Sequence, residues 1–183
     1  MTMLSNISQS ELYIAHPKAE EIRLQKVQKH IADKISWIDL SFGKAYRNQQ
    51  QDGKYVPEVY IGDNEYIPLP PDDSLNFSFL DVAQVGTYEE GLLSNLPVNI
   101  VFAVDLQRIY PSLNNRAEIE VREEVTRILY EMPNWLTITG WKEGVRNVFD
   151  SYNFSIQEFL VDMQPKYVFP IQANIIFESN KTC

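Results

Sequence analysis

The spacing of apolar residues changes period along this chain, from helical to alternating, back to helical, and finally to alternating again. Leu24, Val27, Ile31 and Ile35 recur at helical spacing and predict an amphipathic helix over 17–35. Pro17 follows His16 at its first position, where proline lacks only an amide that would be unpaired anyway. Glu20 and Glu21 fall in the first turn, where carboxylates complement the helix dipole.

From Trp37 the period is two. Ile38, Leu40 and Phe42 share one side, and Trp37, Asp39 and Ser41 the other. Val59 and Ile61 continue the alternation in a second strand. The polar stretch Lys44 to Tyr55 between them holds Asp52-Gly53, a hairpin signal because both turn positions tolerate positive φ. A long projecting hairpin with a polar tip is predicted. Gly62-Asp63-Asn64 marks another turn, and Pro68, Pro70 and Pro71 confine the chain there to an edge-like path. Leu75, Phe77 and Phe79 alternate with Asn76, Ser78 and Leu80 as a half-buried strand. Residues 83–97, with Gly86, Gly91 and Pro97, read as a loop. Val98 to Val104 is apolar on nearly both faces and belongs at the centre of the sheet.

Asn115 and Glu118 form a capping pair that opens a helix over 115–131, with Ala117, Val121, Val125, Ile128 and Met132 on one face before Pro133. Trp141, Val145, Val148, Phe149 and Tyr152 repeat helical spacing and predict a helix over 141–152. Tyr167, Phe169, Ile171, Ala173, Ile175 and Phe177 alternate as a closing strand over 166–178, with Pro170 putting its N-terminal half at an edge or bulge. Helices grouped apart from hairpin-linked strands predict an α+β fold: an antiparallel or mixed β-sheet with helices packed on one face. Residues 1–16 read as an arm, 17–178 as one domain and 179–183 as a tail.

The 183 residues, 44% of them hydrophobic, suffice for a core without a disulfide or metal staple. The net charge of −9 opposes nucleic acid and anionic lipid over the surface as a whole, although Lys26, Lys29, Lys34, Lys44 and Arg47 form a local basic group. No apolar run is long enough to span a bilayer. Met1 to Ser10 carries no basic residue ahead of a hydrophobic run, so a cytosolic site of synthesis is expected. The single cysteine, Cys183, excludes a disulfide framework and a multi-thiolate metal site. His16 and His30 are not at chelating spacing, and His30 reads as a solvated helix residue.

No nucleophile elbow, phosphate-binding glycine loop or dinucleotide fingerprint occurs. Asp39, Asp81 and Asp105 lie on or beside predicted strands, so a metal-dependent nuclease built on those acids is one alternative. A small adaptor that captures a partner by strand addition is another. The projecting tip supplies candidate contact residues: Tyr46, Arg47, Gln49, Gln50, Asp52 and Tyr55. Tyr60, Tyr66, Tyr88 and Tyr110 lie near turns, where an amphipathic ring suits a wet interface.

Ile31 to Tyr46, Pro57 to Ile61, Val98 to Asp105 and Tyr167 to Phe177 succeed one another in a layout that resembles the tail-terminator and tail-completion proteins of tailed bacteriophages, and related head-to-tail neck proteins. Those proteins share the early helix, the hairpin-rich sheet, the later helices and the final strand. The resemblance covers most of the chain from residue 17 onward, with 83–97 and 133–165 as additions. It implies a virion structural protein rather than an enzyme, assembled in the host cytoplasm and needing no metal or cofactor. Copies would close into a homo-oligomeric ring, sixfold or twelvefold, that meets the tail tube and the portal or neck proteins. DNA would pass through the lumen without specific binding, which an acidic surface would favour.

Overall fold

The computed structural model describes residues 7–49, 53, 55–69, 75–82, 87–88, 93–112, 117–144, 148 and 165–178. A short 3₁₀ turn, Gln9–Leu12, precedes helix α1, Glu20–Lys34. Strands β1 (Leu40–Gln49), β2 (Tyr55–Gly62), β3 (Glu65–Pro68), β4 (Phe77–Val82), β5 (Thr87–Tyr88) and β6 (Leu93–Asp105) come after it. Helices α2 (Leu106–Ile109) and α3 (Glu118–Leu129) come next, then β7 (Leu136–Trp141) and β8 (Lys166–Glu178). The strands lie in the order β3-β2-β1-β4-β6-β8-β7, with β5 paired to β6 off that path. Among the described residues only β1–β4 is parallel, so the sheet is mixed and the fold is α+β.

The sheet separates two cores. On one side α1 and α3 bury Leu24, Val27, Ile31, Val121 and Val125 against Leu80, Ile100, Phe102, Phe169 and Ile171. Tyr167, Phe169 and Phe102 stack there with ring centroids 4.7 and 5.3 Å apart in succession. On the other side Leu40, Phe42, Val59, Phe77, Phe79, Val101 and Val168 pack with Leu12, Leu69 and Val148. Residues 7–12 of the arm are therefore part of the folded body: Leu12 is buried and Ile7 packs on the second core.

Two buried polar knots fix the start of the sheet. The Gln28 side chain donates to the carbonyls of Leu12 and Ser41, and Gln9 both donates to Ser41 O and accepts from Ser41 N–H. Ser78 Oγ donates to Ser41 Oγ beneath them. Asn76, 1% exposed, donates to Trp37 O and accepts from Asp105 N–H, while its own amide meets Asp39. One knot ties arm, helix and first strand; the other ties the ends of β1, β4 and β6.

Several expectations are corrected. Trp141 ends a strand rather than opening a helix over 141–152; most of 145–152 lies outside the described residues, as do Asn115, Pro70, Pro71 and the tail 179–183. The segment 83–97 contains β5 and the first residues of β6 instead of being all loop. β4 is buried on both faces, not one, because β1 and β6 flank it and both cores cover it. The alternation begins at Leu40: Ile38 and Trp37 both pack on the helix-side core. Pro17 precedes α1 by three residues, and the first turn is closed by Lys18 N–H donating to Glu21 Oε2. His30 is part-buried, a ring nitrogen 2.9 Å from Ile128 O, so it joins α1 to α3.

Gln28→Ala removes both of its donors from buried carbonyls and is expected to cost about 1–3 kcal/mol, read from urea unfolding. Alkaline stability is the second expectation. Burial, then the Glu143 charge, pushes the Tyr167 hydroxyl up to about 12. Burial and the hydrogen bond to Glu124 push Tyr110 up to about 12. A folded value above the unfolded one means the neutral rings stabilise the fold below the ordinary phenol value, near ~10, and lose that contribution as pH rises toward ~12. Urea midpoints measured across that window will fall more steeply for the native chain than for a Tyr110→Phe, Tyr167→Phe double variant.

Candidate interaction surface

β1 and β2 stay paired from Ala45↔Val59 to Gln49↔Tyr55, whereas β1 leaves β4 at Ala45↔Asp81. The last four residues of β1 thus run past their inner neighbour. On the side that carries α1, the register brings Tyr46, Tyr60 and Tyr66 together: Tyr60 sits opposite Tyr66, and Tyr46 is a diagonal neighbour. The Tyr46 and Tyr66 rings meet edge to face at 6.1 Å, and Tyr60 and Tyr66 lie 5.3 Å apart. Tyr66 is 44% exposed and Tyr55, at the start of β2, 40%.

Between this patch and α1 lies a shallow open groove. Tyr46 and Tyr60 line one wall; Leu12, Ile14 and Leu24 line the other; Glu21, Gln25, Gln28, Gly43 and Lys44 complete it. Positions 21, 24, 25 and 28 are one face of α1, so the helix period itself aims them there. Lys44 Nζ pairs with Glu20 Oε1 at 2.7 Å and lies 5.3 Å from the Tyr46 ring centre. Burial first, then the Glu21 charge, raises the Tyr46 hydroxyl above its ordinary value. Gln25 Oε1 is buried and has no hydrogen-bond partner among the described residues.

The contact residues expected from sequence are dispersed by this geometry. Tyr46 joins the ring cluster. Arg47 points to the opposite face, where its guanidinium bonds Asp81 Oδ1 at 2.9 Å, with side-chain exposures of 17% and 7%. Gln49 is exposed at the end of β1 beside Tyr55. Gln50 and Asp52 lie outside the described residues, and Tyr88 sits in β5 opposite Ser94. Tyr110 donates to Glu124 at 2.8 Å, inside a contact that Trp37 Nε1–H shares. Gln25, Glu21 and Lys44 were not anticipated as partners of the tyrosines, because only strand register and helix docking bring them near.

The three aspartates considered for a nuclease are not gathered. Asp39 bonds Arg108 and the Asn76 amide. Asp105 caps α2 through Gln107 and Arg108 N–H and lies 3.6 Å from Lys166 Nζ. Asp81 is five residues along from Asn76, about 16 Å at strand rise, on Arg47 and Asn99. Among the described residues no group of three His, Cys, Asp or Glu side chains could hold a metal ion, and no helix is long and apolar enough to cross a membrane.

No protein-family model matches the chain, and neither the curated proteins nor the solved structures yield a match.

Arg47→Met would strand the Asp81 carboxylate with fewer charge partners and is expected to destabilise by about 3 kcal/mol. Tyr66→Ser gives up two ring contacts at a 44% exposed position and is expected to cost about 1 kcal/mol. Equal losses in both variants would overturn the assignment of Arg47 to structure and Tyr66 to surface.

Proposed function

We propose that the chain is a virion structural protein of a tailed bacteriophage, a subunit that assembles into a ring in the neck or tail. The reading rests on the whole-chain resemblance, and the observation that carries it is the outer strand surface. β1 and β2 continue past β4, with Tyr55 and Tyr66 exposed and three rings in contact on one face. Clustered tyrosines suit a contact that is apolar in its body and wet at its rim. A head-to-tail contact through such a surface closes a ring when its rotation divides a full turn. The enzyme alternative receives no support from Asp39, Asp81 and Asp105, each of which already serves a structural pairing.

Strand addition is a second reading, favoured by one observation. The outer strand β7, Leu-Thr-Ile-Thr-Gly-Trp, holds no charge and no proline, and Trp141 is 51% exposed. The opposite edge is blunted by the shortness of β3 and by Pro68. The bulge between Ile138 and Gly140 interrupts the β7 edge and weakens it as a template.

Negative-stain microscopy of the purified chain, alone and with tail-tube or portal subunits, tests the ring. Rings are expected, and a Tyr55→Ser, Tyr66→Ser variant that still unfolds in one cooperative urea transition is expected to lose them. A chain that stays monomeric at high concentration and with every candidate neighbour overturns the proposal. Stoichiometric capture of one partner without rings, abolished by Ile138→Pro, would favour strand addition.

A further inference from the structure

The arm docks on the body without joining the sheet. Ser8 N–H and Oγ both donate to Glu11 Oε2, while Glu11 and Tyr13 N–H donate to the carbonyls of Ser8 and Ser10. Its 3₁₀ turn is thus closed by its own atoms. Among the described residues its hydrogen bonds to the body run through side chains: Gln9 meets both main-chain groups of Ser41, and Gln28 donates to Leu12 O. Ile7 and Leu12 add an apolar anchor on the second core, with Leu12 1% exposed. A unit of this kind keeps its shape when it leaves. The site it leaves does not stay empty at low cost, because the Ser41 amide would lose its Gln9 acceptor in a buried place.

The connector to α1, residues 13–19, is strained where it turns back. Pro17 has a fixed φ and biases His16 toward extended backbone, so the reversal falls on Ala19, at φ 45° and ψ −115°. That conformation is costly for any residue with a Cβ. Opened out, the connector would span roughly 23–25 Å, long enough to reach an adjoining body.

We propose that the arm is exchanged between copies of this chain, each arm docking on the body of a neighbour. The occupant fits by construction, since the same segment already fills the same site. Every bond and apolar contact of the docked arm re-forms after exchange, so the balance between the two states rests on the connector and on the concentration of copies. Strain at Ala19 favours exchange, and dilution favours the closed chain. The Gln9–Ser41 pairing supplies selectivity, because an intruding segment would have to offer both an acceptor and a donor in one place.

Exchange needs only two copies and does not rest on the ring. Tyr13, where the arm leaves the body, has its ring centre 4.7 Å from Lys29 Nζ on α1, which supplies a reporter. In a Cys183→Ser background, one chain carries Tyr13→Cys and a second carries Lys29→Cys. The two are refolded together from urea at high concentration and treated with a short bismaleimide. A cross-linked pair on a denaturing gel is expected, and a product confined to one chain is expected when both cysteines share a chain at high dilution. Ala19→Gly in both chains is expected to lower the cross-linked fraction several-fold, since glycine takes the turned-back conformation without steric cost and favours the closed arm. Absence of the mixed product at high concentration overturns the proposal, as does a fraction unchanged by Ala19→Gly. Rings that form without the mixed product reject exchange and leave the ring intact, whereas exchanged pairs without rings do the reverse.

Discussion

Ser41 sits where β1 cannot be held by its neighbour alone. The parallel register with β4 slips between Ser41 and Lys44, so Phe42 and Gly43 occupy a span that lacks regular ladder bonds. Ser41 itself still pairs with Ser78, but β2 joins β1 only from Ala45, and both main-chain groups of Ser41 are taken by glutamine side chains: Gln9 answers the amide and the carbonyl, and Gln28 adds a second donor to the carbonyl. Unmet, those groups would each cost on the order of 1–3 kcal/mol in so buried a place. The same Gln28 amide reaches Leu12 O and thereby fixes the arm against α1. Everything built on the outer strands inherits this arrangement. The groove floor is Gln28 and Gly43, and the direction in which Lys44 and Tyr46 leave the irregularity decides that they face α1.

Proline placement accounts for a second part of the architecture. Each proline in the described strands β3, β6 and β8 sits where pairing stops on one side. β4 pairs with β6 from Val98 to Ala103, and β5 pairs with Ser94 and Asn95, so Pro97 falls in the gap between them. β7 reaches only Ile171, which leaves Pro170 one residue beyond its partner. Pro68 closes the outermost strand. The edge character of Pro170 was legible from sequence. Pro97 instead disguised the start of β6 as loop, because a proline in a long strand is tolerated only with a gap that the sequence does not reveal.

Legibility in the sequence tracks the strength of local periodicity. α1, the central strand and the closing strand were legible because each carries an unbroken apolar stripe. The Leu136-Thr-Ile-Thr stretch holds the β-branched alternation of a strand, yet the helical spacing from Trp141 to Tyr152 masked it. The tyrosine cluster was out of reach for a sharper reason. A two-residue turn at Asp52-Gly53 would set Tyr46 opposite Val59, on the other face from Tyr60. The observed pairing, Gln49↔Tyr55, encloses five residues and shifts the register by one. One step flips every side chain, and only the observed step gathers Tyr46, Tyr60 and Tyr66.

Charge then divides the outer strands into two faces with different duties. On one face Arg47 is spent on Asp81, a pair shielded enough that its partners are fixed by the fold. On the other, Lys44 and Glu20 are more exposed, 26% and 30%, and their attraction is softened by water. The alternation along β1 places Lys44 and Tyr46 on the face with the more exposed pair and Arg47 on the face with the shielded one. A single strand thus carries a shielded ion pair on one side and a water-softened one on the other.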